Sequence, residues 1–212
     1  MKVVQVLRVV LFGAMAVAWT WASYRFGASN EVSDLAVALA VVPVLAAGLI
    51  IAWGRLGASG WTGVAVLMAV GLYLAWPMMR SHVSWVYFMQ HAGIYLALAA
   101  VFGRTLWGDG DALVTALARR VHSAPISERN ERYTRRVTQA WTAYFAGVVV
   151  VSAGLFFLAP LTWWSAFVHL LAAPLLALMF LGEYLCRLRF LPPEERPGMM
   201  EAINAWRNHR PS

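Results

Sequence analysis

Charge is what this sequence has least of. Asp, Glu, Lys and Arg make up 13% of the 212 residues, where a soluble domain carries about a quarter. So few charges cannot cover a water-facing surface, which excludes an ordinary soluble domain. Cysteine is almost absent as well: Cys186 stands alone. That excludes a disulfide within the chain and any multi-cysteine metal site, and leaves Cys186 as a small apolar filler rather than a nucleophile. The histidines at 82, 91, 122, 169 and 209 are dispersed, with no pair at zinc-ligand spacing on one helix. There is no phosphate-binding Gly-rich loop, no Gly-x-Ser-x-Gly elbow and no Cys-x-x-Cys-His. No cofactor or metal is expected; haem held between His91 and His169 would rest on those two histidines alone.

What the sequence has in quantity is apolar residues, 61% of the chain, at a mean hydropathy of +0.63. They fall in continuous runs of about twenty, the length that crosses a hydrocarbon core. In lipid every backbone polar group needs an internal partner, and unbroken runs rather than alternation choose helices over a barrel. The expected fold is an all-α, polytopic membrane bundle of six transmembrane helices in one domain. The spans cover about 3–24, 33–53, 61–79, 83–103, 138–159 and 163–185.

The first run, behind Lys2 and Arg8, could open a signal peptide. Its length, and Trp19 and Trp21 where small residues should precede a cleavage site, favour a retained helix. Ser33 or Asn30 can cap the second span, with Glu31 and Asp34 near its positive end. Pro43, Pro77 and Pro174 lie within spans. The segment 104–137 is expected as a cytoplasmic loop and 186–212 as a cytoplasmic tail. Within the loop, Asp109 or Asp111 can cap a short helix to about His122. Its stripe of Leu113, Val114, Leu117 and Val121 suits a cytoplasmic helix lying in the membrane interface, with Thr115, Arg119 and His122 elsewhere. Pro125 ends it, and Ser127 caps a new helix that runs into the fifth span. In the tail, Met199, Ile203 and Trp206 make a second small apolar stripe.

The basic residues set the orientation. Lys2, Arg8, Arg55, seven arginines between 104 and 136, and five in the tail fall on one side of a six-span chain. That is 15 of 17; only Arg25 and Arg80 fall on the other. The positive-inside rule puts the rich side, with both termini, in the cytoplasm. The chain is read as a bacterial inner-membrane protein. The same distribution makes nucleic acid a poor partner, because the arginines sit where topology wants them and no base-reading array accompanies them.

An ionisable side chain within a span costs about 2.5–3.5 kcal/mol and needs a reason to be there. On the fourth span Ser84, Tyr87, His91 and Tyr95 share a face, with Gln90 beside them. That stripe should turn away from lipid, whether for hydrogen bonding between helices or for function. On the sixth, His169, Ala173, Leu176, Phe180, Glu183 and Arg187 step by four and three along one face. Glu183 and Arg187 can pair, as a helix-end anchor or as part of a site. Arg104 and Arg135, at the ends of the fourth and fifth spans, would complete a charged mouth with them. Two arginines beside one carboxylate would suit a phosphate or carboxylate headgroup. The candidate binding residues are Gln90, His91, Tyr95, Arg104, Arg135, His169, Glu183 and Arg187; no catalytic residue stands out.

Four short motifs then carry a resemblance: Gln90-His91-Ala92-Gly93, Phe102-Gly103-Arg104-Thr105-Leu106, Tyr133-Thr134-Arg135-Arg136-Val137-Thr138 with Trp141, and Glu183-Tyr184 with Arg187. In order and spacing they resemble a poorly characterised family of bacterial inner-membrane proteins. Members lie beside acyl carrier proteins, ketosynthases and acyltransferases in aryl polyene-type clusters. The resemblance covers about residues 85–190 and brings no settled catalytic residues. It implies a component of a fatty-acyl or polyene-type lipid assembly system. Such a component would handle acyl-lipid intermediates, or dock an acyl carrier protein or other acidic partner on its arginines, with membrane lipids around it. A small lipid transporter or flippase, or a scaffold whose polar residues only join helices, are the alternatives.

Overall fold

The computed structural model describes the backbone of residues 2–28, 33–108, 110–121, 126–192 and 195. Among them there is no strand. The helices are α1 (Lys2–Gly27), α2 (Asp34–Arg55), α3 (Ala58–Ser81), α4 (Val83–Arg104), α5 (Leu113–Val121), α6 (Glu128–Leu158), α7 (Leu161–Ala166) and α8 (Ala172–Phe190). A π-helical turn, Phe167–Leu171, joins α7 to α8, so that Leu161–Phe190 is one continuous helical stretch. Among the described residues five helices are long and apolar enough to cross a membrane: Asp34–Arg55, Ser59–Ser81, Val83–Arg104, Glu128–Leu158 and Leu161–Phe190. The chain has the make-up of a multi-pass membrane protein.

The helix ends follow local chemistry. Ser33 caps α2: its hydroxyl accepts the Ala36 N–H at 3.3 Å. Ser127 does the same for α6, accepting from Asn130 at 3.1 Å. Each satisfies one of the N–H groups that a helix start leaves open. The segment 104–137 holds helices where its sequence predicts them: α5 occupies its middle, and α6, capped by Ser127, begins well before residue 138. Asn30, Glu31, Asp109, His122, Pro125 and the stripe of Met199, Ile203 and Trp206 lie outside the described residues.

Contacts divide the chain into two compact units, Met1–His91 with Ser152–Ala172, and Ala92–Val151 with Ala173–Ser212. In the first, α2 offers α4 a face of small residues, with Ala36, Val37, Ala40 and Val41 buried. Tyr87 donates to the Ala36 carbonyl at 3.2 Å and Gln90 to the Ala40 carbonyl at 3.2 Å. Asp34 at the start of α2 meets Arg80 at 3.0 Å and accepts from the Trp76 indole at 2.8 Å. An aromatic cluster fills the other side. Phe88 stacks on Phe156 at 4.3 Å, and Trp164 packs edge-on to Phe156 at 5.1 Å. The Trp164 ring is fully buried, and its indole N–H donates to the Ser152 hydroxyl at 3.0 Å.

The second unit is built on α6. Val137, Trp141 and Phe145 recur every four residues and form its core, against Leu98, Phe102, Val114, Leu176 and Met179. Gly103 lets α4 lie close to α6: a Cβ there would stand 3.2 Å from Cγ2 of Thr142.

Candidate functional site

The polar stripe of α4 turns inward, as its spacing predicts. Ser84, Tyr87 and His91 are buried, and Tyr95 is half-buried over Phe145 at 6.0 Å between ring centroids. In the first unit, His169 sits edge-on to Tyr87 at 5.3 Å, and Phe167 lies edge-on to His91 at 6.3 Å. His169 Nε2 is buried with no hydrogen-bond partner among the described residues. Gln90 is taken up by the α2 backbone. The residues of this cluster therefore have interhelical work that accounts for much of their presence.

The face expected to run from His169 to Glu183 assumes an unbroken α-helix. The π-turn at Phe167–Leu171 interrupts that period between His169 and Ala173, because its hydrogen bonds reach one residue further. His169 belongs to the first unit, while Glu183 and Arg187 belong to the second.

In the second unit, the long polar segment is knitted together by threonines. Among the described residues the α5 N-terminus takes its caps from neighbours, not from Asp111. The Leu113 N–H donates to the Thr105 hydroxyl at 3.0 Å, and the Val114 N–H to the Thr138 hydroxyl at 3.2 Å. Asp111, expected as a cap, instead pairs with Arg119 at 3.1 Å. Thr115, expected off the apolar stripe, is buried and shares a 2.8 Å hydrogen bond with Thr134. Of the apolar stripe, Val114 joins the core while Leu117 stays exposed. Arg135 donates to the Leu106 carbonyl at 2.8 Å. The Phe102–Leu106 and Tyr133–Thr138 motifs are thus halves of one scaffold around α5.

Glu183 and Arg187 pair as their spacing predicts, and the pair has a third member. Both Nε and Nη2 of Arg187 donate to Glu183 Oε1, at 3.0 and 2.8 Å. The Tyr133 hydroxyl lies 3.1 Å from the Glu183 carbonyl oxygen and 3.2 Å from Oε1. The Glu183 side chain is only 11% exposed, so this triad is a held arrangement rather than a solvated pair. It sits in a groove between α6 and α8 of about 470 Å³, within the roughly 300–1,000 Å³ of small-ligand sites. Val137, Ala140, Leu178, Met179 and Phe190 give it an apolar floor, and Arg129, Arg132 and Arg136 stand along its α6 wall.

Arg104 and Arg135 do not line this groove. Arg104 is exposed, with no ion pair among the described residues, and Arg135 is spent on Leu106. The groove's arginines are 129, 132 and 136, which sequence reasoning passed over in favour of motif positions. Their steps of three and four were the available signal, since that spacing puts all three on one helix face. Tyr133, fifty residues from Glu183, gave none. Among the described residues no group of three or more His, Cys, Asp or Glu could hold a metal ion. Comparison with protein families, curated proteins and solved structures finds no match to this chain.

Proposed function

We propose that this protein is a bacterial inner-membrane component that handles acyl-lipid intermediates of a fatty-acyl or polyene-type assembly system. The observation that carries the reading is the α6–α8 groove, apolar along its floor and lined by arginines. An amphiphile with an acyl chain and an anionic headgroup matches both halves. Arginine forks grip phosphate or carboxylate bidentately, and the chain would lie on Leu178, Met179 and Phe190. The exposed arginines also suit an acidic carrier protein arriving from the cytoplasm.

Cys186 provides the test, because it is the sole cysteine, is exposed, and lines the groove. A long-chain acyl phosphate should slow its alkylation by a maleimide severalfold in detergent micelles, while a neutral alcohol of equal chain length should not. An unchanged rate with the acyl phosphate overturns the reading. Protection by an acidic carrier protein alone would turn the groove into a docking face.

The proposal includes six spans with both termini in the cytoplasm and α5 at the cytoplasmic membrane surface. It rests on the 15-to-2 division of basic residues and on α1, whose 26 residues would reach about 39 Å. Topology reporters fused at Ser29, Ser59, Ser81, Ser123 and the C-terminus should read out, in, out, in and in. A periplasmic signal at Ser123 breaks the arrangement.

A further inference from the structure

Glu183 stands in a groove otherwise walled by arginines, and it is held there asymmetrically. Oε1 receives Arg187 twice and Tyr133 once. Oε2 accepts no hydrogen bond among the described residues, although Glu183 lines the groove. A carboxylate oxygen is only an acceptor. Its pairing with Arg187 cancels the charge that would repel an anion, yet leaves a strong acceptor without a hydrogen-bond donor among the described residues. Across from it, Arg129 and Arg136 carry no ion pair among the described residues. Arg132 has only the exposed Glu128, at 3.3 Å, a pair of the kind worth little.

From this we infer the ligand's headgroup: a phosphate with a hydrogen-bond donor a few bonds away, the phosphate on the arginine wall and the donor on Glu183 Oε2. A glycerol hydroxyl and an ethanolamine ammonium both supply that donor. A bare anion would bind more weakly than such a headgroup, since it would use the arginines and leave Oε2 covered without a partner. An acceptor that a bound ligand covers and leaves open discriminates between ligands more sharply than one left in water.

This inference rests on the acyl-lipid reading of the groove, and its test separates the two. The full chain in detergent micelles would be given lipids of equal acyl composition in matched pairs. Phosphatidylglycerol is set against phosphatidylmethanol, and phosphatidylethanolamine against phosphatidylcholine. Binding would be read by native mass spectrometry and by protection of Cys186. The donor-bearing member of each pair should bind about tenfold tighter, the effect of one hydrogen bond to a charged group. Glu183→Gln should erase the preference within pairs. Arg129→Ala, at an exposed position, should weaken all four lipids and keep the preference. If all four protect Cys186 equally, the donor inference fails and the acyl-lipid reading stands. If none protects it, the acyl-lipid reading itself fails. Should Glu183→Gln not fold, the wild-type pairs alone still decide.

Discussion

Replacing Trp164 by alanine should be the most damaging single change in the first unit, lowering stability by about 3–5 kcal/mol. The ring is fully buried. It is flanked by Phe156 at 5.1 Å and Phe88 at 6.3 Å, so its loss opens a cavity that rigid rings fill poorly. In lipid the driving force is close packing rather than escape from water, and a void forfeits contacts outright. The change also strands the Ser152 hydroxyl, which accepts the indole N–H. Trp163, the neighbour in sequence, is 67% exposed, and Trp163→Ala should cost little. Thermal unfolding of both variants in the same detergent checks this; equal losses would mean that the aromatic cluster does not hold the unit together.

Loosening of α5 should follow Thr138→Val. Valine keeps the shape and removes the acceptor for the Val114 N–H. Thr134→Val would remove the buried partner of Thr115. A buried donor left open costs about 1–3 kcal/mol, so amide exchange across 113–121 should speed up by about tenfold to a hundredfold. The two substitutions should not add, because Thr138 donates to the Thr134 carbonyl within one network. Exchange in α6 below Trp141 should stay slow. If α5 exchanges no faster, its apolar contacts and the Arg119 pairs with Asp111 and Glu131 hold it without the threonines.

Long-period features were legible in the sequence, and tertiary ones were not. Runs of about twenty apolar residues located every long helix, because length and hydropathy are local properties. Ser33 and Ser127 were readable as caps for the same reason, as were the inward stripe of Ser84, Tyr87 and His91 and the Glu183–Arg187 pair. The α5 cap was misread because its acceptors, Thr105 and Thr138, come from other helices, while Asp111 stood next to it in sequence. Arg135 and Arg136 show the limit most clearly. They are adjacent, but about 100° apart on a helix. One turns to the Leu106 carbonyl and the other to the groove, and only packing says which. The π-turn left no trace within Phe-Val-His-Leu-Leu, which contains neither glycine nor proline; Pro174, three residues on, signalled only a bend.

That turn sets a rule for how the chain can change in length. Removing one residue from a continuous α-helix swings everything beyond it by about 100°. Removal from 167–171 is different, since the hydrogen-bond ladder there already spans one residue too many. Closing it to ordinary α pairing would absorb the loss without that swing. A three-nucleotide deletion in the gene should therefore be tolerated at this point of the helix and at few others.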